Sequence, residues 1–336
     1  MQDFRATIAA HLSALTTCPE AEVRARARAL VAPDATWHLS APMGEARGPD
    51  AMVDGLFLPL REAFSGCHRR DLLVIGGENR CAEGGRWLAC LTHYVGTFVA
   101  PFCGLAPSGR LAFLRSGEFY RIDEGRITRA HLILDPVDLA APSGAMPLPR
   151  DLGSEIVFPA PATQDGLCPV EGDGAESLDL VEAMLDDLHV YDPTTFESAG
   201  QTGADGHWAE DFFRYGPGGI GSTYRWEGFV SDHRRSFLAA FPDRKGGNHY
   251  CHIGDGAYAA VSGWPSMTMT HMGDYLGVPA TGKALTLRVM EFYRTAPGPS
   301  GRRRIAENWV CLDHVDLFAQ MGIDLIARAN ALRAAG

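Results

Sequence analysis

The chain has 336 residues, 46% of them apolar and 21% charged, enough to fill the cores of two ordinary domains. A formal net charge of −11 argues against a nucleic-acid backbone or an anionic membrane surface as partner. No apolar run reaches membrane-spanning length, and the first residues carry Asp3 and no signal-type apolar block, so a soluble, cytoplasmic protein is expected.

In chain order, residues 4–16 and 20–31 have helical apolar spacing, and a further helix is expected around 50–64. Strands are expected at 87–99, 111–122 and 127–135. Residues 141–174 are rich in Pro and Gly and lack periodicity, which predicts an extended linker over the surface. Helical spacing then returns at 176–188 and around 228–240, followed by strands at 249–271, 284–295 and 304–313. Helices followed by strands predict an α+β fold. Two tandem cone-shaped domains are expected, residues 1–140 and 175–336, each with helices packed on a strongly curved, mostly antiparallel sheet.

The two halves repeat one another. Residues 104–110 (GLAPSGR) match 277–283 (GVPATGK), and Glu118-Phe119-Tyr120-Arg121 recurs as Glu291-Phe292-Tyr293-Arg294, both at an offset of 173 residues. Leu134-Asp135-Pro136-Val137-Asp138 recurs as Leu312-Asp313-His314-Val315-Asp316 after a small change of offset. The repeat is far too long for a solenoid and describes a duplicated domain. Eight scattered cysteines form no CxxC pair and are expected to be buried thiols, with no metal site.

The second half resembles a known family. Thr270-His271 followed by Gly277-Val278-Pro279-Ala280-Thr281-Gly282-Lys283 is similar to the hairpin of SnoaL-like polyketide cyclases, within the nuclear transport factor two-like superfamily. Arg304-Ile305, Glu307, Trp309, Asp313 and Gln320-Met321-Gly322 resemble their closing strand and helix, and Phe241-Pro242-Asp243 resembles the end of their middle helix. The resemblance implies an acid/base enzyme without metal or organic cofactor, in which a pocket Asp and a helper His serve an intramolecular aldol closure. In this alignment the Asp position falls on Val310 and the His position on Glu291, so any acid has moved. The first half has Leu132 and Glu118 there, with Phe98 in place of His271 and Ala130 in place of Asn308. The second half is therefore the expected pocket-bearing copy. The first is a degenerate copy, expected to serve as an intrachain pseudo-dimer partner, with further oligomerisation left open.

Glu291 is the candidate acid/base, because its strand parity puts it among Leu285, Leu287, Val289 and Tyr293, a stripe that could line a pocket. A carboxylate there would be desolvated and its pKa raised; the alternative is an ion pair with Arg288 or Arg294. Asn308, of the same parity as Val310, could polarise a carbonyl or serve as a satisfied core amide. His271 is either an acid/base or a hydrogen-bonded structural residue. Tyr215 and Trp226 are expected before the middle helix, as aromatic walls near the cone mouth or as core; Tyr293 and Val310 complete the candidate substrate-binding set. His249 and His252, three apart on a strand, should point to opposite faces. Asp135 and Asp313 read as helix N-caps. Gly216-Pro217-Gly218-Gly219-Ile220-Gly221 fits a dinucleotide fingerprint but lacks the strand–helix context, so its glycines should shape a loop at the pocket rim. These residues suggest a cofactor-independent cyclase, isomerase or dehydratase acting on a small, oxygenated, ring-forming ligand. A non-catalytic small-molecule binder and a structural pseudo-dimer are the alternatives.

Overall fold

The computed structural model describes residues 3–149, 152–170 and 172–335. The first half begins with α1 (Phe4–Thr17) and α2 (Glu20–Leu30), whose inward faces carry Leu12, Leu15, Val23 and Ala27. Strands β1 (Val31–Leu39) and β2 (Gly44–Arg47) follow. A helical arm then runs through α3 (Gly48–Met52), a π turn at Val53–Phe57 and α4 (Leu58–Ala63). Strands β3 (Phe64–Glu78), β4 (Arg86–Phe98), β5 (Leu111–Asp123) and β6 (Arg126–Leu134) and the short α5 (Pro136–Ala140) complete it.

The second half repeats this plan. It runs α6 (Ala175–Leu188), β7 (Trp208–Tyr215), β8 (Thr223–Tyr224), α7 (Arg225–Phe229), a π turn at Val230–Arg234, and α8 (Arg235–Ala240). Then come β9 (Lys245–Gly246), β10 (His249–Asp255), β11 (Tyr258–Thr270), β12 (Ala284–Pro297) and β13 (Arg303–Leu312). Helices α9 (His314–Met321) and α10 (Leu325–Ala335) close the chain. The first sheet is ordered β2-β1-β6-β5-β4-β3 and the second β10-β11-β12-β13-β7-β8, with β9 beside β11. All ladders are antiparallel except β1–β6 and β7–β13, which are parallel. The architecture is two tandem α+β domains with mixed, mostly antiparallel sheets.

Three expectations need correcting. The strand expected at 249–271 is a hairpin, β10 and β11, because Gly256 takes a positive φ of 58° that turns the chain. Strands β1, β3 and β7 were not anticipated. Their bulges, at Val31/Thr36 in β1 and Ser65/His68 in β3, break the two-residue alternation by which strands are recognised. Gly218 in the glycine-rich loop gives its N–H to Asp135 of the first half at 2.9 Å, and its carbonyl accepts from His314. That loop therefore seals a junction between halves, and none of its glycines lines the cavities described below.

One face of each sheet packs on the other through a layer containing Phe119, Met290, Phe292, Trp309 and Cys311, all at most 1% exposed. Positions 173 residues apart meet their own counterparts here. The Phe119 and Phe292 rings stand 5.6 Å apart, and a Cβ added at Gly117 would lie 3.3 Å from the Cβ of Met290. Contact between equivalent positions is what an approximate two-fold axis produces.

Candidate active site

The ladder registers give an equivalence between halves that the sequence repeat alone does not. Glu118 pairs with Leu132 and Glu291 with Val310; Tyr120 pairs with Ala130 and Tyr293 with Asn308. Through the parallel ladders, Trp37 opposite Ala130 corresponds to Arg214 opposite Asn308. On the other side, Arg69 opposite Tyr94 corresponds to Gly246 opposite Met267.

These exchanges explain why the two interiors differ. In the first half Glu118 is fully buried and clasped by the Arg69 guanidinium at 2.5 Å, the Tyr94 hydroxyl at 2.8 Å and the Tyr120 hydroxyl at 2.6 Å. Trp37, Tyr94 and Leu132, each 0% exposed, fill the remaining space. Phe98 takes no part in this filling and packs with Phe64 and Phe102 near the strand end. In the second half the long Arg69 and Tyr94 side chains become Gly246 and Met267, and a cavity of about 130 Å³ adjoins one of about 380 Å³. Glu291 lines both.

Glu291 stands with Leu287, Val289 and Tyr293 on the cavity wall, and Val310, Asn308 and Arg214 continue that wall across the sheet. Arg288 is engaged by Asp313 at 2.9 Å and Arg294 by Glu307, so neither clasps Glu291. Burial raises the Glu291 pKa; the Arg214 charge and a hydrogen bond from Tyr293 oppose that rise without cancelling it. Asn308 spends its amide N–H on the Phe292 carbonyl at 3.2 Å, which fixes the side chain.

The other sequence candidates lie elsewhere. Tyr215 is on β7 with parity opposite to Arg214, so it faces the layer between sheets, against Trp309 at 5.3 Å, and donates to Glu307. Trp226 packs behind the wall in the core with Phe229 and gives its indole N–H to Glu197. His271 ties down the hairpin after β11: its Nδ1 accepts from the Thr281 backbone N–H at 3.3 Å. None of the three lines the cavities.

Sequence reasoning missed two features. The first is Arg214, 4% exposed, with no carboxylate at salt-bridge distance among the described residues. Its Nη2 lies 3.4 Å from the Nε2 of His233 and its Nη1 has no hydrogen-bond partner. A buried donor left in this state costs about 1–3 kcal/mol. Both residues hid in β7 and in the π turn, where no motif marks them.

The second is a chain of hydrogen bonds along the larger cavity. Glu182 Oε1 lies 2.8 Å from His252 Nδ1, His252 Nε2 lies 3.0 Å from His249 Nδ1, and His249 Nε2 donates to the Ser266 carbonyl at 3.1 Å. The bulge between His249 and Cys251 brings the rings onto one face, contrary to the opposite faces a regular strand would give. The hydrogen bonds fix a proton count. With His249 donating to a carbonyl, the chain needs one proton more than two neutral imidazoles and a carboxylate supply. Arg80 of the first half lies 2.6 Å from Glu182 Oε2, and burial lowers the His249 pKa. Asn79, also of the first half, accepts the His252 backbone N–H at 3.0 Å.

A family model described as SnoaL-like polyketide cyclase matches residues 10–141 and again residues 194–321. The chain belongs to the SnoaL-like polyketide cyclase family. Among solved structures, IdmH from Streptomyces antibioticus is 22% identical, covering 42% of this chain and 98% of its own, with a TM-score of 0.34. An NTF2-like protein from Burkholderia thailandensis is 22% identical over 42% of this chain and 97% of its own, with a TM-score of 0.31. AclR from Streptomyces galilaeus is 19% identical over 43% and 97%, with a TM-score of 0.31. No curated protein matches the sequence. The SnoaL-like halves differ in how they use their shared glutamate: one encloses it, the other presents it to a cavity. Among the described residues, no helix is long and apolar enough to cross a membrane.

Proposed function

We propose that the second half is a cofactor-independent acid–base site of the cyclase, isomerase or dehydratase kind, with Glu291 as its proton carrier. The observation that carries this reading is a single carboxylate on an apolar cavity wall, free of a tight guanidinium and with its pKa raised by burial. The ligand is a small, oxygenated, ring-forming compound. The Glu291 carboxylate takes a proton from the carbon beside a carbonyl, leaving an enolate. The enolate carbon bonds to a second carbonyl carbon of the same molecule, and the resulting alkoxide recovers the proton from Glu291-H, so atoms and charge balance. Tyr293 orients the carboxylate, and Val310 with Leu287 keeps the reacting carbons dry. The first half acts as the fused equivalent of a dimer partner, supporting the sheet that carries the site.

The reaction can be sought without its natural substrate. The protein is incubated in D2O with a panel of small aryl ketones, and deuterium entry beside the carbonyl is followed by NMR. The wild-type protein should accelerate exchange and Glu291→Gln should not; equal exchange with both would sink the reading. A second reading, a non-catalytic binder, is favoured by Val310 standing where the family places its acid. On that reading Glu291→Gln leaves ligand affinity intact and no exchange is seen with either protein.

A further inference from the structure

The cavity holds more positive charge than its own residues neutralise. Arg214, His233, Arg234 and Arg244 all line it, with Glu291 as the one carboxylate among the lining residues. Arg234 and Arg244 are satisfied by neutral groups: Arg234 by the Phe196 carbonyl at 2.6 Å and the Ser198 hydroxyl at 2.5 Å, Arg244 by the Leu188 carbonyl at 3.2 Å. Arg214 is not satisfied. It sits under Phe229, 5.0 Å from the ring centroid, and burial lowers its pKa, with the Glu291 charge opposing.

Its neighbour completes the pattern. A guanidinium can only donate, so the His233 Nε2 facing it accepts, and the His233 proton lies on Nδ1. That N–H also lacks a partner, and burial together with the Arg214 charge keeps the ring neutral. Two buried donors on residues that line the cavity, one of them charged, thus lack an acceptor. In the first half the position of Arg214 is held by Trp37, so the charge serves no requirement common to both halves.

We infer that the ligand of the second half is an anion whose carboxylate, or equally acidic enol or phenol oxygen, seats against Arg214 beside His233. The inference rests on the cavity described under the proposed function and names the class of compound it takes. Such a group would meet the unpaired Arg214 Nη1 through a charge-assisted hydrogen bond. It would also orient the rest of the molecule along Val310 and Leu287 toward Glu291.

Benzoate, an aromatic ring bearing one carboxylate, is the probe, and benzamide is its neutral isostere. Calorimetric titration should give saturable benzoate binding at least about tenfold tighter than benzamide, the usual worth of a charge-assisted contact. Arg214→Met should remove that preference, and Arg214→Lys should keep part of it. Glu291→Gln should bind benzoate as well as or better than the wild type, since a like charge has gone. Equal affinity for benzoate and benzamide, no benzoate binding by the wild type, or undiminished binding by a folded Arg214→Met would overturn the inference. If Arg214→Met does not fold, the benzoate–benzamide comparison on the wild type decides alone. Loss of ketone exchange in Glu291→Gln tests the base independently, so either proposal can fail while the other stands.

Discussion

Asp135 and Asp313 hold equivalent places in the two halves. Asp135 caps α5 through the Asp138 N–H and accepts the backbone N–H of Gly218 in the other half at 2.9 Å. Asp313 caps α9 through the Asp316 N–H and accepts that of Ala41 in the first half at 3.1 Å. Arg115 and Arg288, 173 residues apart, stand beside them. Each cap thus doubles as a bolt between halves.

Asp313 makes stability depend on pH. Burial raises its pKa to about 6, and the Arg288 charge and the N–H groups of Ala41 and Asp316 only partly offset this. The unfolded value is about 3.9. Between these values the folded state holds a proton that the unfolded state has lost, so this group's contribution falls as pH rises, by up to about 1.4 kcal/mol per unit. Asp313→Asn should therefore gain stability relative to the wild type between pH 4.5 and pH 7.5, by roughly 1–2 kcal/mol. Urea midpoints at the two pH values measure it; a constant gap would contradict the burial argument.

The two interiors should be interconvertible. Gly246 has nothing within 4 Å of the place a Cβ would take, so it can accept a side chain. Gly246→Arg with Met267→Tyr rebuilds around Glu291 the enclosure that Arg69 and Tyr94 make around Glu118. The double variant should melt no lower than the wild type and lose benzoate binding by about tenfold or more. A variant that still binds benzoate at wild-type strength would show that the cavity is not the binding site.

Activity should follow the proton on Glu291. Since its pKa is raised, kcat/KM for any substrate found should fall on the acid side at a pH above the usual carboxylate range. Glu291→Gln should lower kcat by roughly 10²- to 10⁴-fold while the fold persists. An acid limb at the ordinary glutamate value would place the base elsewhere.

Between the sheets, Phe119→Ala should cost about 3–5 kcal/mol, since Phe119 is fully buried against Phe292 and Tyr250. Both halves should unfold at a lower denaturant concentration, as judged by tryptophan fluorescence.

Much of this was legible in the chain itself. The repeated Glu-Phe-Tyr-Arg segments are strands of clean alternation, and parity placed Glu291, Tyr293, Asn308 and Val310 on one face, where they line a cavity. Parity needs the strand to be seen, and no motif marks β7, so Tyr215 reads as either cavity wall or core, and lies in the core, while Arg214 goes unnoticed. His249 and His252 escaped for a related reason. A single inserted residue reverses which face a side chain occupies, and nothing in the local sequence announces the bulge. His271 lay in a recognisable motif, but the motif is that of a hairpin, and the ring holds Thr281.

The enclosure of Glu118 has a consequence for how such a molecule can change over time. In a dimer of identical chains every substitution is made twice, so a residue that opens one interior opens both. Here Arg69 and Gly246 occupy the same place in one molecule. Two halves carried on one chain are free of that constraint. One half encloses its glutamate in a dense, cross-braced interior, while the other has the two cavities and the unpaired charge of Arg214. Asn79 and Arg80 show the division at its seam: the half that encloses its glutamate grips the strand and the glutamate beside His252.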